Sequence, residues 1–222
     1  MFKIRASGAG QIMTDPREKA KKDAGELGAT CVNYLIKQWV EDTYKRTEDI
    51  TTLPIQKGLL NEEQGITMLA ESLGEMIKKN NKHHENDFCK GTPDVILEDI
   101  VFDIKCSYSI FSFAKSCITK DYEWQLQVYM HLLGLKKSSL VYVLTDTPMS
   151  IIQAEVKSIC WKLQNDDEAL TIEKELIKEM TYSDIPKKDR IKMFEVNYDP
   201  AKIEALQKRV EQCQKYYNQI KL

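Results

Sequence analysis

The sequence lacks the features that mark membrane, secreted and disordered proteins. No stretch of its 222 residues approaches the roughly 18 consecutive apolar residues of a membrane span, and the N-terminal segment has no apolar core of signal-peptide length. Hydrophobic residues make up 42% and charged residues 30%, which is a globular composition. We therefore expect a folded cytoplasmic protein with no membrane association.

Cysteine spacing and net charge exclude two further classes of protein. The six cysteines form no CxxC pair, which favours reduced thiols over a structural zinc or an iron–sulfur cluster. The 32 basic and 34 acidic residues give a net charge of -2, which excludes a globally basic binder. Two segments are locally basic, with six basic against two acidic residues over 1–22 and nine against five over 186–222. They indicate either phosphate-facing patches or solvated helix faces.

The hydrophobic pattern predicts an α/β (α+β) fold with a central mixed β-sheet flanked by helices. The predicted helices cover about 27–46, 61–79, 121–135 and 159–180, with a last helix that begins at 199 or 200. The predicted strands form a hairpin over 94–106 and continue over 138–146, 150–158 and 191–199. The stretch 48–58 is expected to be a polar connection.

Three chemically reactive side chains lie on one face of the predicted hairpin. With the turn at 98–99, Asp94 faces Asp103 with Cβ atoms about 4.5–5.5 Å apart. Lys105 shares their face because side chains alternate along a strand. A divalent cation would relieve the repulsion between two such carboxylates, and oxygen ligands favour Mg²⁺ or Mn²⁺ over zinc. The alternative is an exposed hairpin with a simple Asp–Lys pair.

Further residues fit a site of this kind, and each also has a plainer explanation. The carbonyl of Ile104 offers another oxygen ligand beside the two acids. Glu62 falls in the first turn of the second helix, where the helix dipole alone also favours an acid. Gln125 and Tyr129 are four residues apart and share a helix face, which is equally typical of a polar helix edge.

Together these motifs resemble the PD-(D/E)xK nuclease superfamily, and more narrowly the lambda-type phage exonucleases, or YqaJ-type viral recombinases. The matching order is Glu62, Pro93-Asp94, Asp103-Ile104-Lys105 and the segment QLQVYMHLLG. The segment KGLLNEE is similar to the family's element of a basic residue, a glycine, three residues and a glutamate. RASGAGQIM is similar to its opening serine-containing segment. The resemblance extends from about residue 5 to about residue 146.

The resemblance implies a restriction-endonuclease-like core and a role for each matched residue. The implied roles are helical acid beside the metals for Glu62, metal-bridging carboxylate for Asp94 and Asp103, carbonyl ligand for Ile104, catalytic lysine for Lys105, positioning of active-site groups for Gln125, a supporting role for Tyr129, and 5′-phosphate binding for Ser7 and Arg5. Two positions depart from the family pattern. The second acid is usually Glu, and the family's phosphate-binding arginine lies further upstream of its serine than Arg5 does from Ser7.

The implied activity is Mg²⁺-dependent hydrolysis of linear double-stranded DNA from its 5′ ends in phage-type recombination, with one or two ions and Mn²⁺ as a substitute. The resemblance also implies a homotrimeric ring, a single-strand annealing partner and a bacterial or phage-infected cytoplasm. A structure-specific or restriction-like endonuclease, or a catalytically inactive nucleic-acid-binding relative, remains an alternative. We expect a single nuclease domain over 1–222, with a helical part at 1–80, a catalytic core at 81–157 and a C-terminal extension of helices and a strand at 158–222.

Overall fold

The computed structural model describes residues 2–48, 51–165 and 167–222. In chain order the strands are β1 (Ile4–Arg5), β2 (His84–Glu85), β3 (Cys89–Gly91), β4 (Val95–Leu97), β5 (Ile100–Cys106), β6 (Lys137–Val143) and β7 (Ile191–Asn197). The α-helices are α1 (Ala9–Ile12), α2 (Lys19–Asp23), α3 (Ala29–Tyr44), α4 (Leu53–Leu60), α5 (Glu62–Leu73), α6 (Ile110–Ala114), α7 (Lys120–Leu133), α8 (Met149–Leu163), α9 (Ala169–Met180) and α10 (Pro200–Tyr217). None of these helices is long and apolar enough to cross a membrane.

Two mixed sheets organise the part of the chain that the structure describes. The larger sheet has four strands in the order β4-β5-β6-β7, with β5 and β6 parallel and the outer pairs antiparallel. The smaller sheet has the order β1-β3-β2 and brings the N-terminal segment beside the strands at residues 84–91. The chain crosses from β5 to the parallel strand β6 through α7, as a parallel pair requires. The prediction of a mixed sheet flanked by helices is confirmed.

Helices bury both faces of the larger sheet. On one face, α5 contributes Ile66 and Leu69 to an apolar cluster with side chains of β4, β5 and β6. On the other face, α7 contributes Leu126 and Met130 to a cluster that includes Val101 of β5. Because neither face is open to water, a charged side chain on β5 needs partners inside the protein.

Parts of the secondary-structure prediction are wrong. The helix predicted over 159–180 is divided between the end of α8 and the whole of α9. Residues 150–158 are not a strand but part of α8, whose buried face carries Ile152, Val156 and Cys160 at four-residue spacing. The predicted polar connection at 48–58 contains the start of α4, and its residues 49 and 50 lie outside the described residues. Pro54 lies in the first turn of α4, where a missing N–H breaks no helical hydrogen bond.

Helix α5 ends at Leu73, six residues before the predicted end of this helix, and Gly74 is its C-cap residue. Gly74 has φ +70°, a left-handed conformation that a residue without Cβ adopts at little cost. The chain then leaves the helix and runs back across the sheet edge toward β4. This early end creates the segment of residues 74–83, which carries side chains to the candidate site.

Candidate active site

The β4–β5 hairpin has the register that the sequence predicts. Val95 pairs with Phe102, so the next facing pair beyond it is Asp94 and Asp103, and the turn lies at residues 98–99. Because the polar turn fixes the register, the two carboxyl groups reach the same end of the hairpin. The two acids of the motif therefore meet across adjacent strands.

Asp103 is buried and held by two neighbouring side chains. Its own side chain is 1% exposed, and its Oδ2 lies 2.7 Å from Nζ of Lys105. Gln125 donates from Nε2 to Asp103 Oδ1 at 2.9 Å and also contacts the Tyr129 hydroxyl at 3.0 Å. The Tyr129 hydroxyl in turn donates to the carbonyl oxygen of Thr92 at 3.3 Å. This chain of contacts, which runs through Gln125 and Tyr129 of α7, fixes the orientation of the Asp103 carboxylate.

Asp94 offers the second carboxylate and draws the backbone of the next strand toward it. The N–H of Ile104 donates to Asp94 Oδ2 at 2.7 Å. In a strand the N–H and C=O of one residue leave on the same side, so the Ile104 carbonyl points toward Asp94 as well. Burial, together with the charge of Asp103, raises the pKa of Asp94 to about 7. Two close carboxylates and a carbonyl form an oxygen donor set that fits a hard divalent cation.

Lys105 carries the positive charge of this cluster. Burial alone would lower its pKa, but the adjacent carboxylate of Asp103 outweighs burial, and the pKa of Lys105 is raised. Its Nζ also lies 5.0 Å from the ring centre of Tyr122, a cation–π distance. The Lys105 side chain remains 28% exposed, and it lines the cleft onto which this cluster opens.

The cluster opens into a cleft of about 540 Å³, which we call the catalytic cleft. Asp94, Lys105 and Glu62 lie along it, and Ile55 and Leu59 of α4 form part of its wall. Leu59 is 68% exposed, so this wall presents apolar surface to the solvent-filled groove. The cleft is thus lined both by charged side chains and by an apolar surface of α4.

Glu62 lies at the cleft but is engaged by a lysine. It is the first residue of α5, as predicted, and its Oε2 accepts a hydrogen bond from Lys79 Nζ at 2.7 Å. Across the described ranges of the chain, no group of three or more His, Cys, Asp or Glu side chains is gathered as a metal site. The structure therefore brings Asp94 and Asp103 together. Glu62 lines the same cleft as Asp94, and its carboxylate is bound by Lys79.

A second cleft of about 390 Å³, which we call the anion cleft, shares no lining residue with the first. Its polar lining residues are Arg5, Ser7, His83, Lys90 and Thr92. Two of the three nitrogen-bearing groups already have a partner, since Arg5 donates to Glu41 Oε2 at 2.7 Å and His83 Nδ1 lies 3.1 Å from the Thr92 hydroxyl. The structure thus brings the predicted Arg5 and Ser7 together at one cavity.

Tyr129 connects the anion cleft to the buried Asp103, and Gly91 makes room for it. Tyr129 lines the anion cleft and contacts Gln125, which holds Asp103. A Cβ built on Gly91 would lie 2.8 Å from the Tyr129 ring and 2.9 Å from Cβ of Ala6, closer than real contacts allow. A glycine at this position therefore permits the tyrosine ring to pack against β3 while its hydroxyl contacts Gln125.

Several residues that line these clefts are not among the predicted site residues, and His83, which the sequence places in an exposed polar loop, is one of them. His83, Lys90 and Thr92 line the anion cleft, and Lys79 binds Glu62 in the catalytic cleft. All four lie in loops or short strands, where hydrophobic periodicity gives no signal. Their closeness in sequence to Pro93-Asp94 is the one feature that pointed toward the site.

The basic segments at the two ends of the chain are partly neutralised. Lys22 and Arg209 both pair with Asp15, and Lys187 pairs with Glu71. These contacts tie the N-terminal and C-terminal segments together and withdraw some positive charge from the surface. For Lys22, Lys187 and Arg209, these ion pairs favour a structural role over phosphate binding.

Lys57, the basic residue of the KGLLNEE segment, is buried against the wall of the catalytic cleft. It is 0% exposed, and its Nζ donates to the Tyr108 carbonyl at 3.0 Å. Burial lowers the pKa of Lys57 to about 8 from its ordinary 10.5. The ammonium thus ties α4 to the loop after β5, two elements that both border the cleft.

This lysine should leave a signature in the pH dependence of stability. Between pH 8 and 10.5 the unfolded chain keeps a proton that folded Lys57 has released, so the free energy of unfolding should rise with pH. The contribution is at most about 3 kcal/mol. Lys57→Met removes the titrating group, and its unfolding free energy should rise less over this range. Urea unfolding of both proteins at several pH values measures the two slopes, and parallel slopes would contradict a buried ammonium of low pKa.

Comparison with known structures gives matches over nearly the whole chain. A phage-related exonuclease from Haemophilus somnus 129PT is 26% identical with a TM-score of 0.79, covering 98% of this chain and 94% of that one. The alkaline exonuclease LHK-Exo from Laribacter hongkongensis is 15% identical with a TM-score of 0.65, covering 97% and 88%. Its complex with dAMP gives 15% identity, a TM-score of 0.64 and the same coverage.

No protein-family profile matches the sequence, and no curated protein is significantly similar to it. The two LHK-Exo structures, at 15% identity, establish a shared fold. The Haemophilus somnus protein adds sequence similarity to the shared fold. The resemblance to phage exonucleases that the motifs indicate is thereby confirmed, and a nuclease is the class of enzyme that it supports.

Proposed function

We propose that this protein is a Mg²⁺-dependent deoxyribonuclease that degrades linear double-stranded DNA from its 5′ ends. The observation that carries the proposal is that Asp94 and Lys105 line one cleft of about 540 Å³, with the buried Asp103 carboxylate 2.7 Å from the Lys105 ammonium. The architecture shared with a phage-related exonuclease supports it. The reaction is hydrolysis of a phosphodiester bond, in which water attacks phosphorus and the sugar oxygen leaves.

The residues that would hold Mg²⁺ are Asp94, Asp103 and the carbonyl of Ile104, with Glu62 joining them when it is released from Lys79. A bound Mg²⁺, or Mn²⁺ in its place, supplies a more acidic water and stabilises negative charge on the phosphate. One or two ions suit this donor set. Asp103 is a shorter acid than the glutamate usual at this position. Its buried carboxylate is held in one orientation by Lys105 and Gln125.

Lys105 stabilises the charge that develops on the phosphate and orients the attacking water. Its ammonium stands between the buried Asp103 and the open cleft, and the Tyr122 ring supports it from one side. A fixed cation at this place acts on the transition state without reorganisation, which is how preorganised groups contribute most to catalysis. Gln125 and Tyr129 serve as positioning residues because they hold the Asp103 carboxylate.

The anion cleft would bind the 5′-terminal phosphate. Ser7 offers a hydroxyl donor, while Arg5, His83 and Lys90 offer nitrogen donors around the same cavity. Arg5 is shared with Glu41, so its contribution to phosphate binding is weaker than that of an unpaired guanidinium. A terminal phosphate held here would place the strand next to Asp94, because Thr92 borders the anion cleft and precedes the Pro93-Asp94 pair.

Ser7→Ala should reduce the preference for phosphorylated DNA ends. A hydrogen bond to a charged phosphate contributes enough to change the preference about tenfold. The measurement is the ratio of digestion rates on 5′-phosphorylated and 5′-hydroxyl duplexes, with Ser72→Ala, an exposed serine of α5, as control. An unchanged ratio in Ser7→Ala would remove the serine from phosphate recognition.

Digestion of linear and covalently closed circular DNA of one sequence tests the proposed activity. With Mg²⁺ we expect the linear duplex to be digested and the circle to remain intact, and EDTA should stop digestion. Nicking or cutting of the circle would replace the proposal with a structure-specific or restriction-like endonuclease. Binding of DNA without any digestion would replace it with an inactive nucleic-acid-binding relative.

The proposal includes the assembly and setting that the resemblance implies. A homotrimeric ring around DNA would keep the enzyme on its substrate. The 3′ overhang left by 5′→3′ digestion is the substrate of a single-strand annealing protein in phage-type recombination. Sedimentation of the purified protein should give three times the chain mass, and a monomer mass would exclude the ring.

A further inference from the structure

The segment that leads into β2 is anchored on the Pro93-Asp94 motif by one side chain. The backbone N–H of Asn80 donates to the Asp94 carbonyl at 2.8 Å, and its Nδ2 donates to the Pro93 carbonyl at 2.8 Å. Its Oδ1 accepts from the N–H of Lys82 at 3.1 Å, which closes the local turn. Asn80 therefore fixes its own segment to the strand that carries the first acid.

Lys79, the residue before Asn80, forms an ion pair with Glu62. Lys79 Nζ donates to Glu62 Oε2 at 2.7 Å and lies 3.9 Å from an oxygen of Glu63. The hydrogen bond to Glu62 raises the pKa of Lys79, and the nearby charges of Glu63 and Asp94 act in the same direction. The ammonium thus stands within the electrostatic reach of two proposed metal ligands.

An ordinary surface ion pair contributes little, because two flexible side chains must be held together in water. The Lys79–Glu62 pair differs because the backbone is held in place at both ends. Glu62 begins a helix that packs on the sheet, and Lys79 precedes a residue bonded to two carbonyls of the motif. Such a pair places one positive charge at a defined point beside a carboxylate that a cation would otherwise use.

We propose that Lys79 is a positioning residue that holds Glu62 while the site is free of divalent cation and yields this carboxylate when the cation binds. Asn80 sets the place of Lys79. This inference rests on the proposed function, because it concerns the same metal site. Lys79 and the cation compete for the Glu62 carboxylate, so the lysine reduces the affinity of the site for the cation. It also keeps this carboxylate oriented toward the site until the cation replaces the ammonium.

Cation binding without DNA tests this inference by a measurement other than activity. Isothermal titration with Mn²⁺ should show about tenfold tighter binding to Lys79→Met than to the wild type, since one fixed positive charge near the cation has been removed. Lys78→Met is the matched control, because it removes the same charge from an exposed neighbouring lysine. Lys79→Arg keeps the charge and should bind Mn²⁺ with wild-type affinity.

The outcomes separate the failure of this inference from the failure of the proposed function. Equal Mn²⁺ dissociation constants for Lys79→Met and Lys78→Met, or weaker binding by Lys79→Met alone, would overturn the role of Lys79 and leave the nuclease proposal standing. Absence of saturable Mn²⁺ binding in the wild type, or binding that persists in Asp103→Asn, would overturn the proposed metal site itself. Asn80→Ala should also bind Mn²⁺ more tightly than the wild type, as Lys79→Met does. An unchanged Mn²⁺ affinity would show that Asn80 does not set the place of Lys79.

Discussion

Replacing Lys105 with methionine should reduce the rate of Mg²⁺-dependent DNA digestion about 10³-fold, the size of effect seen when a preorganised charge-stabilising group is removed. Methionine keeps the aliphatic stem that packs beside Tyr122 but lacks the ammonium that faces the cleft. The loss should fall on the turnover rate, because the ammonium acts on charge that appears during the reaction. Single-turnover digestion of a labelled linear duplex measures this rate.

DNA binding separates a catalytic loss from a structural one. Removing Lys105 leaves Asp103 without its cation, but Gln125 continues to donate to that carboxylate, so the fold should persist. We expect binding to labelled duplex in Ca²⁺ to stay within a few-fold of the wild type. Lys120→Met removes an exposed lysine near the start of α7 and should digest DNA normally. Substantial digestion by Lys105→Met would place the catalytic charge elsewhere.

Replacing Asp103 with asparagine should abolish metal-dependent digestion and weaken Mn²⁺ binding by at least about 100-fold. The change keeps the size of the side chain and removes one of the two facing carboxylates, Asp94 just before β4 and Asp103 in β5. Loss of a direct ligand should exceed the roughly 10–100-fold cost of losing an outer partner of a metal site. Titration with Mn²⁺ and the digestion assay measure the two effects.

Asp99→Asn provides the matched control for this prediction. It makes the same charge change in the same hairpin, at an exposed turn position away from the cleft. We expect wild-type Mn²⁺ affinity and digestion from this control. Equal Mn²⁺ affinity in Asp103→Asn and Asp99→Asn would show that the buried acid is no ligand.

The hairpin could be predicted from sequence because its information is local. Two polar residues at 98–99 fix the turn, and strand alternation then assigns Asp94, Asp103 and Lys105 to one end and one face. Helical spacing likewise predicts that Gln125 and Tyr129 share a face, and their side chains are in contact. Short-range geometry was enough to assemble the acids and the lysine.

Other parts of the fold depend on contacts that local patterns do not report. The β-branched residues of 150–158 favour a strand by propensity, yet the residues form α8 because Ile152, Val156 and Cys160 pack with α9. The predicted helix at 61–79 stops at Leu73, so Lys79 leaves the helix and reaches Glu62. The anion cleft joins β1 to residues some eighty positions later, a pairing that no spacing rule predicts.

Anomalous diffraction from a crystal soaked in Mn²⁺ would locate the cation in the molecule. We expect a Mn²⁺ peak coordinated by carboxylate oxygens of Asp94 and Asp103 and by the Ile104 carbonyl, with Glu62 turned away from Lys79. A well-occupied peak elsewhere in the molecule, with Asp94 and Asp103 free of metal, would contradict it.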